Sequence, residues 1–338
     1  MAENKTSFQT ILDALLNDNK DFPQRYLRFF SDLDPASLKA FLDGWPRVNP
    51  TRKLILLRQL EALADSDTIV SFEDIGRALL KDVDGNVRAA AIRLLAESDD
   101  PKLAEPYINI LQKDTELEPR LEAATMLGEY VILGELEELD ETIHHRIEDA
   151  LLAVVSSKED DHLRRRALEA LGYSSRLEVE AVIKAAFKRE NPEWVASALT
   201  AMGRSSDPQW EEQVITMLVN EDLRIRKAAV QAAGELALSD ARGLLLGMLE
   251  EEEDDEVIAA IIWSLSQIGG EDVRTYLEAL LDKTEDEDED ENEDLLELIE
   301  NAIENLTFTE DLERFEMLAL DPDDELKEID LEELDGEE

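Results

Sequence analysis

A short phrase that recurs six times between residues 87 and 266 constrains the fold of this chain most strongly. Each copy begins with an apolar residue, which is followed by Arg in four copies. The copies end at residues 96, 128, 172, 203, 234 and 266. The intervals are therefore 32, 44, 31, 31 and 32 residues. A fixed period of this size is typical of solenoids, in which stacked helical pairs bury a core that no pair could bury alone.

The residues within each period follow a helical pattern. In the first copy Val87, Ala91 and Leu95 recur at helical spacing, and the turn at residues 84–86 supplies Asp and Asn to cap the helix. A second apolar run lies between successive copies, for example at residues 107–111. Each period is therefore predicted to be a helix, a turn and a second helix. Left-handed C-caps are expected at the glycines that close four copies, Gly128, Gly172, Gly203 and Gly234.

The order of an apolar run, an Asp turn, Val-Arg, small residues and Leu-Gly resembles HEAT repeats, in the short bacterial form also seen in phycobilin lyase subunits. The resemblance covers about residues 50–283. Val195 and Ile258 stand where the family has Arg, and Gln59 stands where a small residue is expected. The resemblance implies an all-α, right-handed α-solenoid of stacked antiparallel helix pairs, a superhelix with helical end caps. It implies no single function, because HEAT arrays serve many unrelated tasks.

The interval of 44 residues is about a dozen longer than the others. We expect the surplus near residues 131–143, between one helix pair and the next. A lengthened helix or a surface loop there would cost little, because the entropy of loop closure grows slowly with length. The alternative is a projection that contacts a partner.

The segment before the repeats, residues 1–48, differs from them in composition. A solenoid needs an end cap that shields its first core face, so we predict two or three capping helices here and the repeats over residues 49–283. A ligand pocket is the alternative use of the aromatic side chains. These aromatic residues are Phe8, Phe22, Tyr26, Phe29, Phe30, Phe41 and Trp45.

The C-terminal segment carries half of the excess negative charge. The net charge is −49, and residues 284–338 contain 27 acidic and 2 basic residues. Runs of like charge repel and stay solvated, so residues 284–294 are predicted to be an acidic linker. Helical spacing returns at residues 295–306 and predicts a capping helix. Residues 307–338 then form an acidic, largely disordered tail, which is either regulatory or only solubilising.

The charge and composition exclude several classes of function. A protein that grips nucleic acid needs a basic track along the phosphates, and an anionic membrane would also repel this chain. There is no cysteine, and no apolar stretch approaches the roughly 20 residues that cross a bilayer. The first residues do not resemble a signal peptide. We therefore expect a cytoplasmic protein that acts as a monomer.

The sequence offers no recognisable catalytic constellation. The three histidines are His144, His145 and His162, and neighbouring histidines on a helix point in different directions. They lack the spacing of four residues that helical zinc sites use. No glycine-rich phosphate loop occurs. We therefore expect no enzyme activity, no cofactor and no metal site.

The arginines of the repeated phrase are predicted to be structural. They recur beside acidic turns, so we expect a ladder of hydrogen bonds to Asp or Glu between repeats. The ladder comprises Arg88, Arg120, Arg164 and Arg226.

The binding surface is predicted from the resemblance, in which the helices that bear Val-Arg line the concave side. Outward positions there are either ordinary solvated residues or a partner surface that ends near a tryptophan. They are Arg93, Arg165, Glu169, Arg224, Lys227, Gln231 and Trp263, of which Arg93, Arg165, Arg224 and Lys227 form a sparse basic stripe.

Three functional hypotheses follow. The first, which we favour, is an adaptor that binds a protein or peptide along the concave face. The second adds gating, in which the acidic tail lies on the basic stripe and competes with the partner. The third, which rests on the resemblance alone, is an accessory subunit of a bilin lyase or another enzyme complex.

Overall fold

The computed structural model describes residues 7–285 and 289–319, and these residues contain helices, turns and loops but no strand. The chain divides into two compact units, residues 1–201 and 202–338. Short 3₁₀ helices precede or follow several α-helices, at Gln24–Phe30, Trp45–Arg47, Pro101–Leu103, Pro208–Trp210 and Ser239–Ala241.

The α-helices follow one another with short connections. The first unit contains α1 Phe8–Leu15, α2 Pro35–Gly44, α3 Pro50–Ser66, α4 Glu73–Leu79, α5 Gly85–Arg93, α6 Ala104–Lys113, α7 Leu117–Glu135, α8 Glu141–Val155, α9 Asp161–Leu171, α10 Leu177–Phe187 and most of α11 Pro192–Arg204. The second unit contains α12 Glu211–Met217, α13 Leu223–Glu235, α14 Arg242–Glu251, α15 Asp255–Ile268, α16 Glu271–Glu285 and α17 Glu289–Ala319.

Each unit is a stack of helix pairs. In the first unit α3, α5, α7 and α9 pack in order as one row, and α4, α6 and α8 each pack against the helix that follows. In the second unit α13, α15 and α17 form a row, and α12, α14 and α16 each pack against the following helix. Five of the six copies of the repeated phrase lie on the helices of these rows, and the copy that ends at residue 203 lies on α11. The prediction of an all-α solenoid of stacked helix pairs is confirmed.

Aspartate side chains begin many of these helices. Asp84 accepts a hydrogen bond from the backbone N–H of Asn86 at 2.9 Å, and Asp160, Asp222 and Asp254 cap α9, α13 and α15 in the same way. Each cap satisfies an amide that the first helical turn would otherwise leave without a partner. The predicted Asp caps are therefore confirmed.

The predicted left-handed C-caps at the phrase-closing glycines are wrong. α7 passes through Gly128, α11 through Gly203 and α13 through Gly234, while Gly172 follows α9 with a φ of −52°. Positive φ values occur three residues after Gly203 and Gly234, at Ser206 and Ala237, and nine residues after Gly128, at Glu137.

The glycines are required by close approach between neighbouring helices of a row. A Cβ at Gly128 would lie 3.2 Å from the Cα of Ala170 on α9. A Cβ at Gly234 would lie 2.7 Å from the Cα of Ser264 on α15, a distance that real side chains do not tolerate. The small residue at the end of the phrase therefore lets two helices pack backbone to backbone.

The N-terminal aromatic residues pack against one another. Phe30 and Phe41 are fully buried, with ring centroids 5.7 Å apart, and Trp45 lies 4.9 Å from Phe41. The Phe8 ring on α1 also packs against Phe30, with ring centroids 5.8 Å apart. These rings form the core of the segment that holds α1 and α2.

The C-terminal part is more helical than predicted. α16 reaches Glu285 and α17 begins at Glu289, so most of the predicted linker, residues 284–294, is helical. Acidic residues are favoured at a helix N-terminus by the helix dipole. α17 extends past the predicted end at residue 306, because no Pro or Gly interrupts residues 289–319. The rest of the predicted tail, residues 320–338, lies outside the described residues.

The long interval between repeats lengthens a helix. α7 has 19 residues and continues to Glu135, and a short turn leads to α8 at Glu141. The surplus predicted near residues 131–143 is therefore the last turns of α7 and the turn that follows. No helix of the described part of the chain is long and apolar enough to cross a membrane.

Candidate functional site

Arg88 of the predicted ladder joins two successive helix pairs. From α5 it donates two hydrogen bonds to Asp114, Nε to Oδ2 at 2.7 Å and Nη2 to Oδ1 at 2.6 Å. It also donates to the carbonyl oxygen of Asp82 at 2.8 Å. Asp114 follows α6, so one guanidinium connects the turn of its own pair with the turn of the next.

Arg120 and Arg226 make the same kind of connection. Arg120 donates to the carbonyl oxygen of Leu111 at 2.8 Å and to Glu159 at 2.9 Å. In the second unit, Arg226 donates to the carbonyl oxygen of Asn220 at 2.9 Å and to Glu252 at 3.0 Å. The carboxylates of Glu159 and Glu252 belong to the following helix pair.

Arg164 differs from the other three. It donates to the carbonyl oxygen of Val155 at 3.1 Å and to Asp161 of its own helix at 2.8 Å. Towards the next pair its guanidinium lies over the Trp194 ring, 5.0 Å from the centroid. A cation–π contact thus replaces the carboxylate at this step.

The predicted stripe residues of the first unit are engaged by acidic neighbours. The Arg93 guanidinium lies between two carboxylates. Its Nε is 2.8 Å from Glu61 on α3, and its Nη1 is 2.6 Å from Glu122 on α7. Arg165 lies 2.6 Å from Glu193 on α11. These arginines therefore tie neighbouring helices together.

Glu169, the remaining predicted site residue of this unit, also joins two helices. Its Oε1 accepts a hydrogen bond from the Ser197 hydroxyl on α11 at 2.6 Å, and its Oε2 accepts one from Arg166 at 3.2 Å. The side chain contributes to packing between α9 and α11.

The stripe residues of the second unit are paired as well. Arg224 contacts Asp222 at 2.8 Å, and Lys227 contacts Glu256 on α15 at 2.5 Å. The Lys227 ammonium holds the pKa of Glu256 below its usual range. All four basic side chains of the predicted stripe thus have carboxylate partners, and no uncompensated basic stripe exists among them.

Most of these partners could have been recognised in the sequence. Arg93 is followed 29 residues later by Glu122, Arg165 is followed 28 residues later by Glu193, and Lys227 is followed 29 residues later by Glu256. Such separations are close to one period, which places both residues at similar heights on adjacent helices. An acidic residue one period away is the signal that was missed.

Three predicted site residues meet in a groove between α13 and α15. The groove has a volume of about 310 Å³, and we call it the Trp263 groove. It is lined by Lys227, Gln231, Glu256, Ala259, Ala260 and Trp263. The two alanines leave space beside the indole, and the polar side chains stand around it.

Trp263 is held firmly but remains accessible. Its ring lies against Gly234, where a Cβ would come within 2.8 Å of the indole. The side chain is nevertheless 39% exposed. Within the described residues, the indole N–H has no hydrogen-bond partner. The other three tryptophans, Trp45, Trp194 and Trp210, are buried.

Comparison with family models finds HEAT repeats in this chain. The model for HEAT repeats matches residues 179–265 and 211–297, which include α13, α15 and the Trp263 groove. A comparison with curated protein sequences finds no match. The narrower resemblance to phycobilin lyase subunits stays a prediction.

The solved structures that are similar to this chain include one of YibA and two of Kap95p. The Escherichia coli protein YibA is 15% identical with a TM-score of 0.42, and the match covers 86% of this chain and 99% of that one. Yeast importin-β, Kap95p, is 10% identical with a TM-score of 0.45, over 89% of this chain and 46% of that one. Kap95p in a structure with RanGDP is 14% identical with a TM-score of 0.38, over 94% and 44%.

This chain therefore spans less than half of the length of the Kap95p chains it resembles. The family match and the stacked helix pairs do not depend on the likeness to the Kap95p structures. Residues 179–297 therefore match HEAT repeats, and the earlier copies of the phrase, on α5, α7 and α9, lie in helix pairs that stack in the same way.

Proposed function

We propose that this protein is a non-catalytic scaffold that binds a protein partner at the Trp263 groove. The observation that supports this most is the accessible indole of Trp263 beside two alanines and a rim of polar side chains. Tryptophan is strongly enriched among the residues that carry the energy of protein interfaces. A small apolar depression with a polar rim is also the usual anatomy of such a contact.

The groove is supported by rigid elements. The Ser264 hydroxyl on α15 donates to the carbonyl oxygen of Val230 on α13 at 2.8 Å, and Gly234 lets the two helices pack closely. A surface held in this way loses little conformational entropy when it binds. The partner would therefore meet a preformed site.

The charge of the chain indicates the chemistry of the partner. The chain has 83 acidic and 34 basic residues, so carboxylates dominate the molecule as a whole. Complementary potentials steer a partner to its site and reject others of like charge. We expect a protein segment that places an apolar side chain against Trp263 and carries Arg or Lys beside it.

Tryptophan fluorescence tests this proposal. Because the other tryptophans are buried, a bound partner should change the emission of Trp263 and protect it from a soluble quencher. Affinity capture followed by quantitative mass spectrometry would supply candidates, and each purified candidate is then titrated. We expect Trp263→Ala to weaken binding at least tenfold, which corresponds to about 1.4 kcal/mol.

Leu244→Ala is the matched control. Leu244 on α14 is 37% exposed, close to Trp263 in accessibility, and does not line the groove. This variant should bind as the wild type does. Equal affinities for wild type and Trp263→Ala, with both proteins folded, would contradict the proposal.

The gating and bilin-lyase hypotheses have less support. Gating by the acidic tail required a free basic stripe, and the four stripe residues have carboxylate partners. An accessory role in a bilin lyase has no supporting observation beyond the resemblance. A monomeric state and the absence of nucleic-acid and membrane binding stay predictions.

A further inference from the structure

Titratable side chains gather where α7 meets α8, in the first unit. His144, His145 and Glu148 lie on α8, and Glu135 is the last residue of α7. We call these four residues the His144 cluster. They occupy the long interval in which the repeat is interrupted, and the Trp263 groove does not involve them.

His144 is buried without a hydrogen-bond partner. It is only 9% exposed, and its Nε2 forms no hydrogen bond within the described residues. Two carboxylate oxygens lie near it, Oε1 of Glu148 at 3.7 Å and Oε1 of Glu135 at 3.9 Å. Both distances are too long for a hydrogen bond. Buried polar groups in folded proteins normally have partners, so the unpaired Nε2 indicates that a binding partner of His144 is missing.

Glu148 has an unused oxygen at the same place. The side chain is 1% exposed, and its Oε1 accepts a hydrogen bond from the Ser174 hydroxyl. Its Oε2 is buried without a hydrogen bond. A buried carboxylate is costly unless a cation compensates for its charge.

The nearest cation is shared among several carboxylates. Nη1 of Arg176 lies 3.6 Å from Oε2 of Glu148 but 2.7 Å from Asp149, and Nη2 lies 3.1 Å from Glu178. Three carboxylates therefore share one guanidinium, and the Glu135 carboxylate lies near His144 as well. The neighbourhood keeps a net negative charge that favours a further cation.

The ligand atoms are close enough to share one ion. Those of His144, His145 and Glu148 all lie within 4.8 Å of one another. Two ligands of a tetrahedral zinc ion are separated by about 3.4 Å, given bond lengths near 2.1 Å. His145 is exposed, so rotation of its ring can close the remaining distance.

We propose that His144, His145 and Glu148 bind one Zn²⁺ ion, with Glu135 as the fourth ligand. Imidazole and carboxylate together suit zinc, and four protein ligands are typical of a structural site. Oε1 of Glu135 accepts the backbone N–H of Ser175 at 2.8 Å, which orients the carboxylate and leaves Oε2 available. The ion would fasten α8 to the end of α7.

Gly134 makes room for the arrangement. A Cβ at this position would lie 2.3 Å from the ring carbons of His144. The imidazole therefore rests directly on the α7 backbone, beside Glu135. This contact explains how His144, near the start of α8, is buried against the last turn of α7.

Calorimetric titration of the chelator-treated, full-length protein with ZnCl₂ tests the proposal. Excess Mg²⁺ is included so that the many surface carboxylates do not contribute. We expect one Zn²⁺ per chain and a rise in melting temperature. His145→Asn, at an exposed position that should not disturb folding, is expected to weaken binding at least about tenfold. Glu148→Gln should weaken it further.

His162→Asn is the matched control, because it removes the remaining histidine at an exposed position. It should bind zinc as the wild type does. Since the chain has three histidines, NMR of their ring nitrogens identifies the ligands directly: the signals of His144 and His145 should shift with zinc and that of His162 should not. Binding weaker than millimolar, or equal binding by wild type and a folded His145→Asn variant, would overturn the proposal.

Discussion

Arg88, Arg120 and Arg226 each satisfy two requirements of stacked helix pairs with one side chain. One N–H group binds a carbonyl oxygen in the last turn of the first helix of its own pair or just after it, and another binds a carboxylate of the next pair. The positive charge also suits the carbonyl end of a helix. These arginines recur because both the intact helix end and the stacking interface depend on them.

Arg88→Ala should therefore destabilise the protein more than the loss of an exposed ion pair. The side chains of Arg88 and Asp114 are 12% and 7% exposed, and truncation would leave the aspartate buried and unpaired. We expect the free energy of unfolding to fall by about 2–4 kcal/mol. Urea unfolding followed by circular dichroism measures this. Arg146→Ala is the control, because the Arg146–Glu105 pair is more than half exposed and should cost less than about 1 kcal/mol.

The same pair has a definite pH dependence. Burial opposes ionisation of Asp114, but the hydrogen bonds from Arg88 and the Glu116 backbone amide hold its pKa below the usual value. A carboxyl group with a lowered folded-state pKa stabilises the protein above its unfolded pKa of about 4, and this stabilisation is lost as the pH falls further. The difference in stability between wild type and Arg88→Ala should be complete at neutral pH and shrink below about pH 4. A constant difference would show that Asp114 is not the partner that matters.

At the scale of the elements, replacing a helix glycine by alanine should raise or lower the free energy of unfolding, depending on what lies opposite the glycine. A Cβ at Gly134 on α7 would collide with the His144 ring at 2.3 Å, whereas a Cβ at Gly247 on α14 would meet nothing within 4 Å. Gly134→Ala should lower the free energy of unfolding by about 1–3 kcal/mol through overpacking. Gly247→Ala should raise it by up to about 1 kcal/mol, because alanine favours the helix. Thermal melts of the two variants compare them directly, and equal effects would contradict the packing at α7 and α8.

The helices could be predicted from the sequence because their signals are local. The apolar spacing around Val87 and Ala91 and the cap at Asp84 act within one or two turns. The role of Gly128 could not be predicted in this way, because a glycine that ends a helix and one that admits a neighbouring helix look alike. The difference lies in the Cα of Ala170, which is 42 residues away.

The candidate site was predicted only in part, for a related reason. The repeat period predicts a common face for Lys227, Gln231 and Trp263. In the structure all three line one groove. Their electrostatics depend on which side chains of the next helix stand opposite. Glu256 neutralises Lys227, so residues chosen for their positive charge are not basic in effect. The His144 cluster was missed because helical spacing alone separates adjacent histidines, whereas burial against Gly134 and Glu135 brings the groups together.

For the whole molecule, charge is the dominant quantity. Even if all 34 basic residues were paired, 49 carboxylates would remain without a basic partner. Many ion pairs between repeats lie near the surface, where each contributes little. Repulsion among the unpaired carboxylates therefore opposes the folded state more than the exposed pairs support it.

Added salt should consequently stabilise this protein. Raising NaCl from about 0.02 M to 0.2 M shortens the screening length from roughly 20 Å to about 7 Å, which weakens repulsion between distant carboxylates while close, half-buried pairs persist. We expect the melting temperature to rise steeply over this range and then to level off. If salting-out of apolar surface were the cause, the melting temperature would keep rising at high salt, and sulfate would raise it more than chloride does. A melting temperature that falls as NaCl is added would mean that the ion pairs between repeats, rather than the excess of carboxylates, control the stability of the solenoid.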